Sequence, residues 1–598
     1  MTNNSPSTSE SLPAASDSAW NTRRAKWLSL GALLLLCWPL FFFRLGAWPF
    51  FDADEGRYGE IPRAMLASGD WVTPMLNGVK FFDKPPLLYW GIAFFYQILG
   101  LSEAAARLVP ALAALAAVAG AYALGRRMFG ARAGFFAGAI LATSLVWPIM
   151  ARVVLTDMLV SSLIFLAMAF WWLARSETTE KARFAYNFGF WSALGLGVLA
   201  KGPVTVVLAG GSIAFYLLLS GEREVLRRMG WKFGPLLMLL IAAPYFVIVQ
   251  LRNPEYNHAF WYEQHLGRFL GLLAEKDHNN GPLYFFLFLP ILFFPWTFFA
   301  PAALAAGWRK IWPGKNQTRS ENGRAALYLC CGALFITLFF SGSSSKLVTY
   351  ILPVLPLMAV ALGGYFSHFL SQNGEKMNRI LGVGAVLLSI LLVVFGIAGF
   401  SAAPRALAKM DVPATSALVA SAALIVWGAV LAFGALRFRL RGAIAATAIG
   451  MCVVLGLATG IARDFGMQAT TEPLLEKLKP GLGPQTQIVT LLFTQSLAFY
   501  TGKRFVSVER PDELRAALRH VSEAEKSVWF PQTDAELRPY VEAKTPVYFV
   551  ARTTGGRAAA FHARLKKLGD IEPIIANARF TFMGNRAARA LTPPEIQR

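Results

Sequence analysis

Apolar runs of close to 20 residues, separated by short clusters of arginine and lysine, set the rhythm of this chain. A run of about 20 apolar residues is what an α-helix needs to cross the hydrocarbon of a bilayer, where each backbone polar group must be bonded within its own segment. The first run is Trp27 to Phe43, preceded by Arg23, Arg24 and Lys26. Its exit, Arg44-Leu-Gly-Ala-Trp-Pro49, carries bulky aromatics and no small-residue cleavage site, so it reads as an uncleaved anchor with a cytoplasmic N-terminus. Further spans are predicted near 104–124, 133–150, 158–174, 186–200, 203–219, 235–251, 283–306, 325–341, 350–370, 380–400, 414–435 and 442–461. The basic clusters at Arg126/Arg127/Arg132, Arg175/Lys181/Arg183, Arg223/Arg227/Arg228/Lys232, Arg309/Lys310/Lys315/Arg319, Lys376/Arg379 and Arg437/Arg439/Arg441 then share one side. With about thirteen crossings, that side is the cytoplasm by the positive-inside rule. Leu87 to Leu99 is short and aromatic and is predicted to lie in the interface; if it crossed, every later side would invert.

The two ends break the rhythm. Residues 1–22 are rich in Ser, Thr, Asn and Pro without periodicity and are expected to form a disordered cytoplasmic tail. After Ile461 charge rises, and short β-rich runs appear at Gln487 to Phe493, Arg504 to Val508 and Pro546 to Val550, with a helical stretch from Pro511 to His520. The predicted fold is therefore mainly α: a polytopic membrane domain over 23–461, whose first outer loop is about 45–103, and a soluble α/β domain over 462–598 on the outer side.

Composition agrees with the pattern. With 55% hydrophobic and 15% charged residues, and a mean hydropathy of +0.47, the chain cannot be a soluble multidomain protein. The formal charge of +22 sits in short clusters between apolar runs, which fits topology and contact with anionic membrane lipids, and no nucleic acid is expected as a partner. Cys37, Cys330, Cys331 and Cys452 fall inside apolar runs without zinc-site or disulfide spacing.

The candidate chemistry concentrates just after the first span. Asp52-Ala-Asp-Glu-Gly-Arg-Tyr-Gly-Glu60 places four carboxylates and an arginine at the membrane boundary, followed by Gly69-Asp-Trp-Val-Thr-Pro74 and Lys80-Phe-Phe-Asp-Lys-Pro-Pro86. Asp54 is the candidate catalytic acid, with Glu55, Arg57 and Tyr58 as further candidates. Asp54 and Glu55 are expected at the end of a helix, where the dipole offers a carboxylate nothing, and an ion pair to Arg57 or Arg63 is the structural alternative. Asp157 begins another crossing on the same side, where an ionisable group is a functional candidate; capping by Thr156 or Asp157 is the alternative. Lys84, Arg268, and Lys346 with Tyr350 supply a compact charge, a bidentate fork and a hydroxyl, the parts needed to hold an anionic leaving group. Asp83 and His265 could ligate a divalent metal ion or simply make hydrogen bonds.

The string from Asp54 to Pro86 resembles the first periplasmic loop of the bacterial aminoarabinose transferases of lipid A, within the superfamily of protein O-mannosyltransferases, which are GT-C glycosyltransferases. The resemblance continues through Arg152 to Asp157, Leu199-Ala-Lys-Gly-Pro203, Glu263 to Phe269 and Ser345 to Pro353. It implies a GT-C membrane domain with interfacial helices at the inner membrane, a periplasmic active site, and transfer of 4-amino-4-deoxy-L-arabinose from undecaprenyl phosphate to lipid A phosphate. By the same match Asp54 and Asp157 are the catalytic acids, Lys84, Arg268 and Tyr350 contact the carrier phosphate, and Asp83 stands beside His265 at a suggested metal position. Asp83 departs from the usual Glu there. A single chain is expected to act alone. The competing readings are a GT-C enzyme moving another polyprenyl-linked sugar to protein or another glycan, and a transporter or flippase, which would place its ionisable groups near the bilayer midplane instead.

Overall fold

A computed structural model of the chain describes residues 20, 22–267, 270, 280–312, 318–373, 377–408, 413–437, 440–511, 514–593 and 596. Apart from residues 20 and 22, the expected N-terminal tail lies outside them. Among the described residues nine helices are long and apolar enough to cross a membrane, so the chain is a multi-pass membrane protein. They are Arg23–Phe42, Glu103–Phe129, Thr156–Arg175, Gly234–Arg252, Glu321–Ser341, Val354–Gln372, Arg379–Ala408, Thr415–Gly434 and Leu440–Ala469. The Glu103–Phe129 helix shows why such segments hold their ends: Ser102 accepts from the Ala105 amide, Glu103 sits in the first turn, and Arg126 and Arg127 sit in the last, each sign against the favourable end of the dipole.

The other predicted spans coincide with helices of different build. Residues 133–150 form two pieces, Ala131–Ala142 and Val146–Ala151, and the Leu145 amide between them donates to the carbonyl of Phe294. Residues 283–306 are likewise broken, into Tyr284–Leu292 and Ala300–Ile311, around Pro295, which has no amide to continue a helix. Glu180–Lys201 is long but more polar, and Val204–Ser220 has 17 residues. Leu87–Leu99, at 13 residues, is about 20 Å long and too short to span. It turns Leu88, Tyr89, Ile92 and Tyr96 into the protein and leaves Phe94, Ile98 and Leu99 exposed.

The C-terminal part is built on a five-stranded sheet in the order β4-β3-β5-β7-β6, with β3 Gln487–Thr490, β4 Val506–Ser507, β5 Val547–Arg552, β6 Glu572–Ala576 and β7 Phe580–Gly584. A two-stranded hairpin, β1 Met75–Leu76 and β2 Val79–Lys80, lies in the first loop. β3 pairs in parallel with β4 and β5, while β7 runs antiparallel to both β5 and β6. The change in composition at Ile461 falls inside a helix, because Leu440–Ala469 continues past it before Glu472–Leu478 begins the soluble part.

That part is not separate from the first loop. One hydrophobic core contains Phe50, Tyr58, Phe81 and Tyr89 from the loop together with Leu497, Phe505, Tyr548 and Phe582 from the tail. Polar contacts seal the joint. Asp52 accepts from the Ser496 amide at 2.7 Å and from its hydroxyl, Tyr500 accepts from the Phe50 amide and donates to Glu103, and Asn77 exchanges two 2.9 Å hydrogen bonds with the backbone of Phe505.

Candidate active site

The acids of the first loop lie on the Asp54–Ser68 helix. They were expected at a helix end with no dipole to complement; instead Asp54 and Glu55 occupy its first turn, where the exposed amides favour a carboxylate. Glu55 is buried and its partner is neither Arg57 nor Arg63. Its carboxylate takes a fork from Arg107, at 2.9 and 3.0 Å, and also accepts from the amides of Val154 and Phe51. Arg107 donates onward to the carbonyls of Leu45, Trp48 and Pro49. Every bond of Glu55 therefore points into the protein, and it clamps the end of the first span rather than facing an open site. Arg63 pairs with Glu60, and Arg57 with Asp54, whose side chain is 56% exposed. Tyr58 is buried beside them. Burial holds its phenol far above the ordinary range, Arg57 opposes, and the carboxylates of Asp83, Asp54 and Asp157 add to the rise. Tyr58 thus stands in the field of three acids from two parts of the sequence.

A cavity of about 440 Å³ opens next to this loop. Asp83, Lys84, Asp157, Lys201, His265 and Tyr350 line its polar end, and Val207, Leu208, Phe339 and Phe340 its apolar end. Asp157 sits in the first turn of Thr156–Arg175 without a side-chain capping bond, and pairs with the ammonium of Lys201. Lys201 lies 4.6 Å from the centre of the Tyr350 ring. Lys84 pairs with Asp83 at 2.7 Å. Gly202 makes the close approach of His265 possible: at φ 82°, a Cβ there would meet His265 Nε2 at 2.5 Å.

Of the sequence candidates, Asp83, Lys84, Asp157, His265 and Tyr350 therefore share one cavity. Asp54, Glu55, Arg57, Tyr58 and Lys346 are not part of its lining. Lys346 is buried and donates to the carbonyl of Ser343, one of the residues that do line it. Arg268 lies outside the described residues. Lys201 was not among the residues singled out, although the Ala-Lys-Gly-Pro string that ends its helix marks a cation held at a sharp turn.

The residues do not fit the suggested metal. His265 Nδ1 is 2.8 Å from the carbonyl of Phe260 and Nε2 is 3.1 Å from that of Lys201, so both ring nitrogens face acceptors instead of an open coordination position. Asp83 is committed to Lys84, and among the described residues no group of three His, Cys, Asp or Glu side chains could hold an ion. Burial lowers the pKa of His265, against which the two carbonyls act.

A smaller cavity of about 190 Å³ shares Asp83 and Gln264 with the first and is completed by Arg519 and His520 of the C-terminal part. The two chambers together can take a charged headgroup at the shared wall and an apolar chain along the helices.

Residues 83–248 match a family model described as dolichyl-phosphate-mannose-protein mannosyltransferase. The chain is 32% identical over 375 residues to an undecaprenyl phosphate-alpha-4-amino-4-deoxy-L-arabinose arabinosyl transferase of Aeromonas salmonicida (strain A449), across 59% of this chain and 65% of that relative. It is 30% identical over 395 residues to the protein of the same name from Edwardsiella ictaluri (strain 93-146), across 63% of this chain and 67% of the relative. The crystal structure of ArnT from Cupriavidus metallidurans bound to undecaprenyl phosphate superposes with a TM-score of 0.80 at 25% identity, covering 95% of this chain and 99% of that one.

Proposed function

This chain belongs to the undecaprenyl phosphate-alpha-4-amino-4-deoxy-L-arabinose arabinosyl transferase family, and from that premise we propose that it moves 4-amino-4-deoxy-L-arabinose from undecaprenyl phosphate to a phosphate of lipid A, at the periplasmic face of the bacterial inner membrane. The observation that carries this reading is the cavity in which two lysines and a tyrosine meet at the head of an apolar cleft. Its apolar end suits a prenyl chain and its polar end a phosphate, and the crystallised relative of the same fold holds undecaprenyl phosphate. Every group invoked comes from a single chain.

The reaction breaks the bond between the sugar and the carrier phosphate, so negative charge grows on the leaving phosphate. Cations held at fixed positions stabilise that charge more in the transition state than in the ground state. Lys84, Lys201 and the Tyr350 hydroxyl are assigned this task, and Arg268, outside the described residues, is assigned to it by the sequence match alone. Asp157 keeps Lys201 in place through their ion pair. The acceptor phosphate monoester has a second pKa near ~6 and is mostly ionised at neutral pH, so no strong base is required to activate it. Asp54 is then assigned to orient the sugar amine or to take a residual proton. No metal enters this scheme.

The test is mass spectrometry of lipid A from strains with and without the protein, under conditions that induce lipid A modification. An added pentosamine that depends on the protein is expected. Unchanged lipid A alongside a newly modified protein or glycan would overturn the acceptor assignment.

A further inference from the structure

Another cavity, of about 480 Å³, shares no lining residue with the first and runs beside the helix that bears Phe339 and Phe340 and along the helix that follows Tyr350, from Val354 to Ser371. It is enclosed by Ala300–Ile311, Glu321–Ser341 and Val354–Asn373, and reaches from Asn322 along the second helix as far as Leu334. Twelve helical residues cover about 18 Å, so the cavity runs from one membrane surface past the middle of a hydrocarbon layer about 30 Å thick. Its walls are apolar and its mouth is not: Lys310, Asn322, His368 and Ser371 stand there.

Lys310 is the informative residue. It is half-buried at the mouth, and among the described residues no carboxylate pairs with it. His368, across the mouth, lies in the field of the Lys310 ammonium and offers it no negative partner. Trp308 and Trp312, both more than half exposed and 6.2 Å apart, flank the lysine in the manner of side chains that settle at a membrane surface. A desolvated cation above an apolar channel lacks an anion that is joined to a hydrocarbon chain. The basic cluster to which Lys310 belongs is assigned to the cytoplasmic side, whose leaflet carries the anionic lipid.

We propose that this cavity binds one acyl chain of an anionic glycerophospholipid, with the lipid phosphate at Lys310 and the chain between the three helices. The site is distinct from the catalytic cavity and does not rest on the transfer reaction. Because two of its walls continue into the Ser343–Tyr350 segment at the other surface, the lipid would brace the helices that position Tyr350.

The full chain, purified in detergent, is titrated in native mass spectrometry with phosphatidylglycerol and with phosphatidylcholine of identical acyl chains. The wild type is expected to hold the anionic lipid about fivefold more tightly, the scale of one lysine against an anionic headgroup. Lys310→Gln should erase that preference. Ala333→Trp, which fills the channel, should lower retention of both lipids, and Ala361→Phe does the same from the facing helix should the first variant fail to fold; gel filtration and helical circular dichroism report folding. Equal affinity for the two lipids in the wild type, a preference that survives Lys310→Gln, or unchanged retention in a folded channel-filling variant would each overturn the proposal.

Discussion

Lys84 and Lys201 enter the same cavity already paired, one with Asp83 and the other with Asp157. Such pairing holds a long side chain in one place while tempering its charge. Replacing Asp157 by Asn frees Lys201 from its counter-charge but also from its anchor, so we expect undecaprenyl phosphate to bind at least as tightly while transfer slows by about 10²-fold. Separate measurements of donor affinity and turnover check this, and a matched loss of both would count against the positioning role. Asp54→Asn removes charge near Tyr58 and is expected to cost transfer by about 10²-fold with normal expression; turnover like the wild type would remove Asp54 from the mechanism. A third expectation concerns Asp52, whose carboxyl is raised to about 6, chiefly by burial and in spite of the bonds from Ser496. An unfolded carboxyl titrates near ~3.9, so between these values the folded chain holds the extra proton and stability falls as pH rises. Relative to the wild type, Asp52→Asn should therefore gain Tm as the pH is raised from about 4 to about 6.5. A relative loss over that window would show that the ionised Asp52 stabilises the joint. The sequence made Asp83, Lys84, Asp157 and Tyr350 legible because an ionisable or hydroxyl group at a membrane boundary needs a reason. Lys201 stood in the sequence only inside the Leu199–Pro203 match, and its role came into view through its partners, Asp157 and Tyr350, which folding brings to it. Glu55 misled for a different cause: its partner, Arg107, belongs to the next span and is joined only by folding.

The hairpin from Met75 to Lys80 shows how a small element can carry a large joint. Asn77 and Gly78 both take positive φ, at 50° and 75°, as a tight two-residue turn demands. The Asn77 amide then fits the Phe505 backbone, and Gly78 leaves room for Arg504, which a Cβ would meet at 2.6 Å. Asn77→Ala is expected to cost about 1–3 kcal/mol, because it strands a buried amide and carbonyl of Phe505. Limited proteolysis should then release the C-terminal part more readily, and unchanged protection would mean that the apolar core alone holds the joint. The Asn-Gly pair is a turn signal that was passed over in the sequence, and the partner it serves comes only with folding. In the same way β3, β4 and β5 were legible as β-rich runs, while β6 and β7 were missed. Glu572-Pro-Ile-Ile-Ala576 and Phe580-Thr-Phe-Met-Gly584 are short and become strands by pairing across β5. The broken helices around Thr143 and Pro295 read as continuous spans because hydropathy does not register where a backbone bends.

At the scale of the whole molecule, the assignment depends on which surface each loop faces. In a background lacking Cys37, Cys330, Cys331 and Cys452, a cysteine at Glu523, whose side chain is 84% exposed, is expected to react with a membrane-impermeant thiol reagent from the periplasm. A cysteine at Glu180, 94% exposed, should react only after permeabilisation. Labelling of both from one side would mean that the crossing count between them is wrong. The shared core of the first loop and the tail sets a schedule for assembly as well. Phe50 and Tyr58 leave the ribosome early, but Leu497, Phe505 and Phe582, against which they pack, come more than 400 residues later. Contacts so distant in sequence form slowly and leave apolar surface waiting for its cover. The loop therefore cannot finish folding until the last segment has been made and packed against it. A chain stopped short at its final helix would be inserted and anchored, yet its first loop would stay open, so the cell would see a protein with an exposed apolar face and treat it as a substrate for proteolysis.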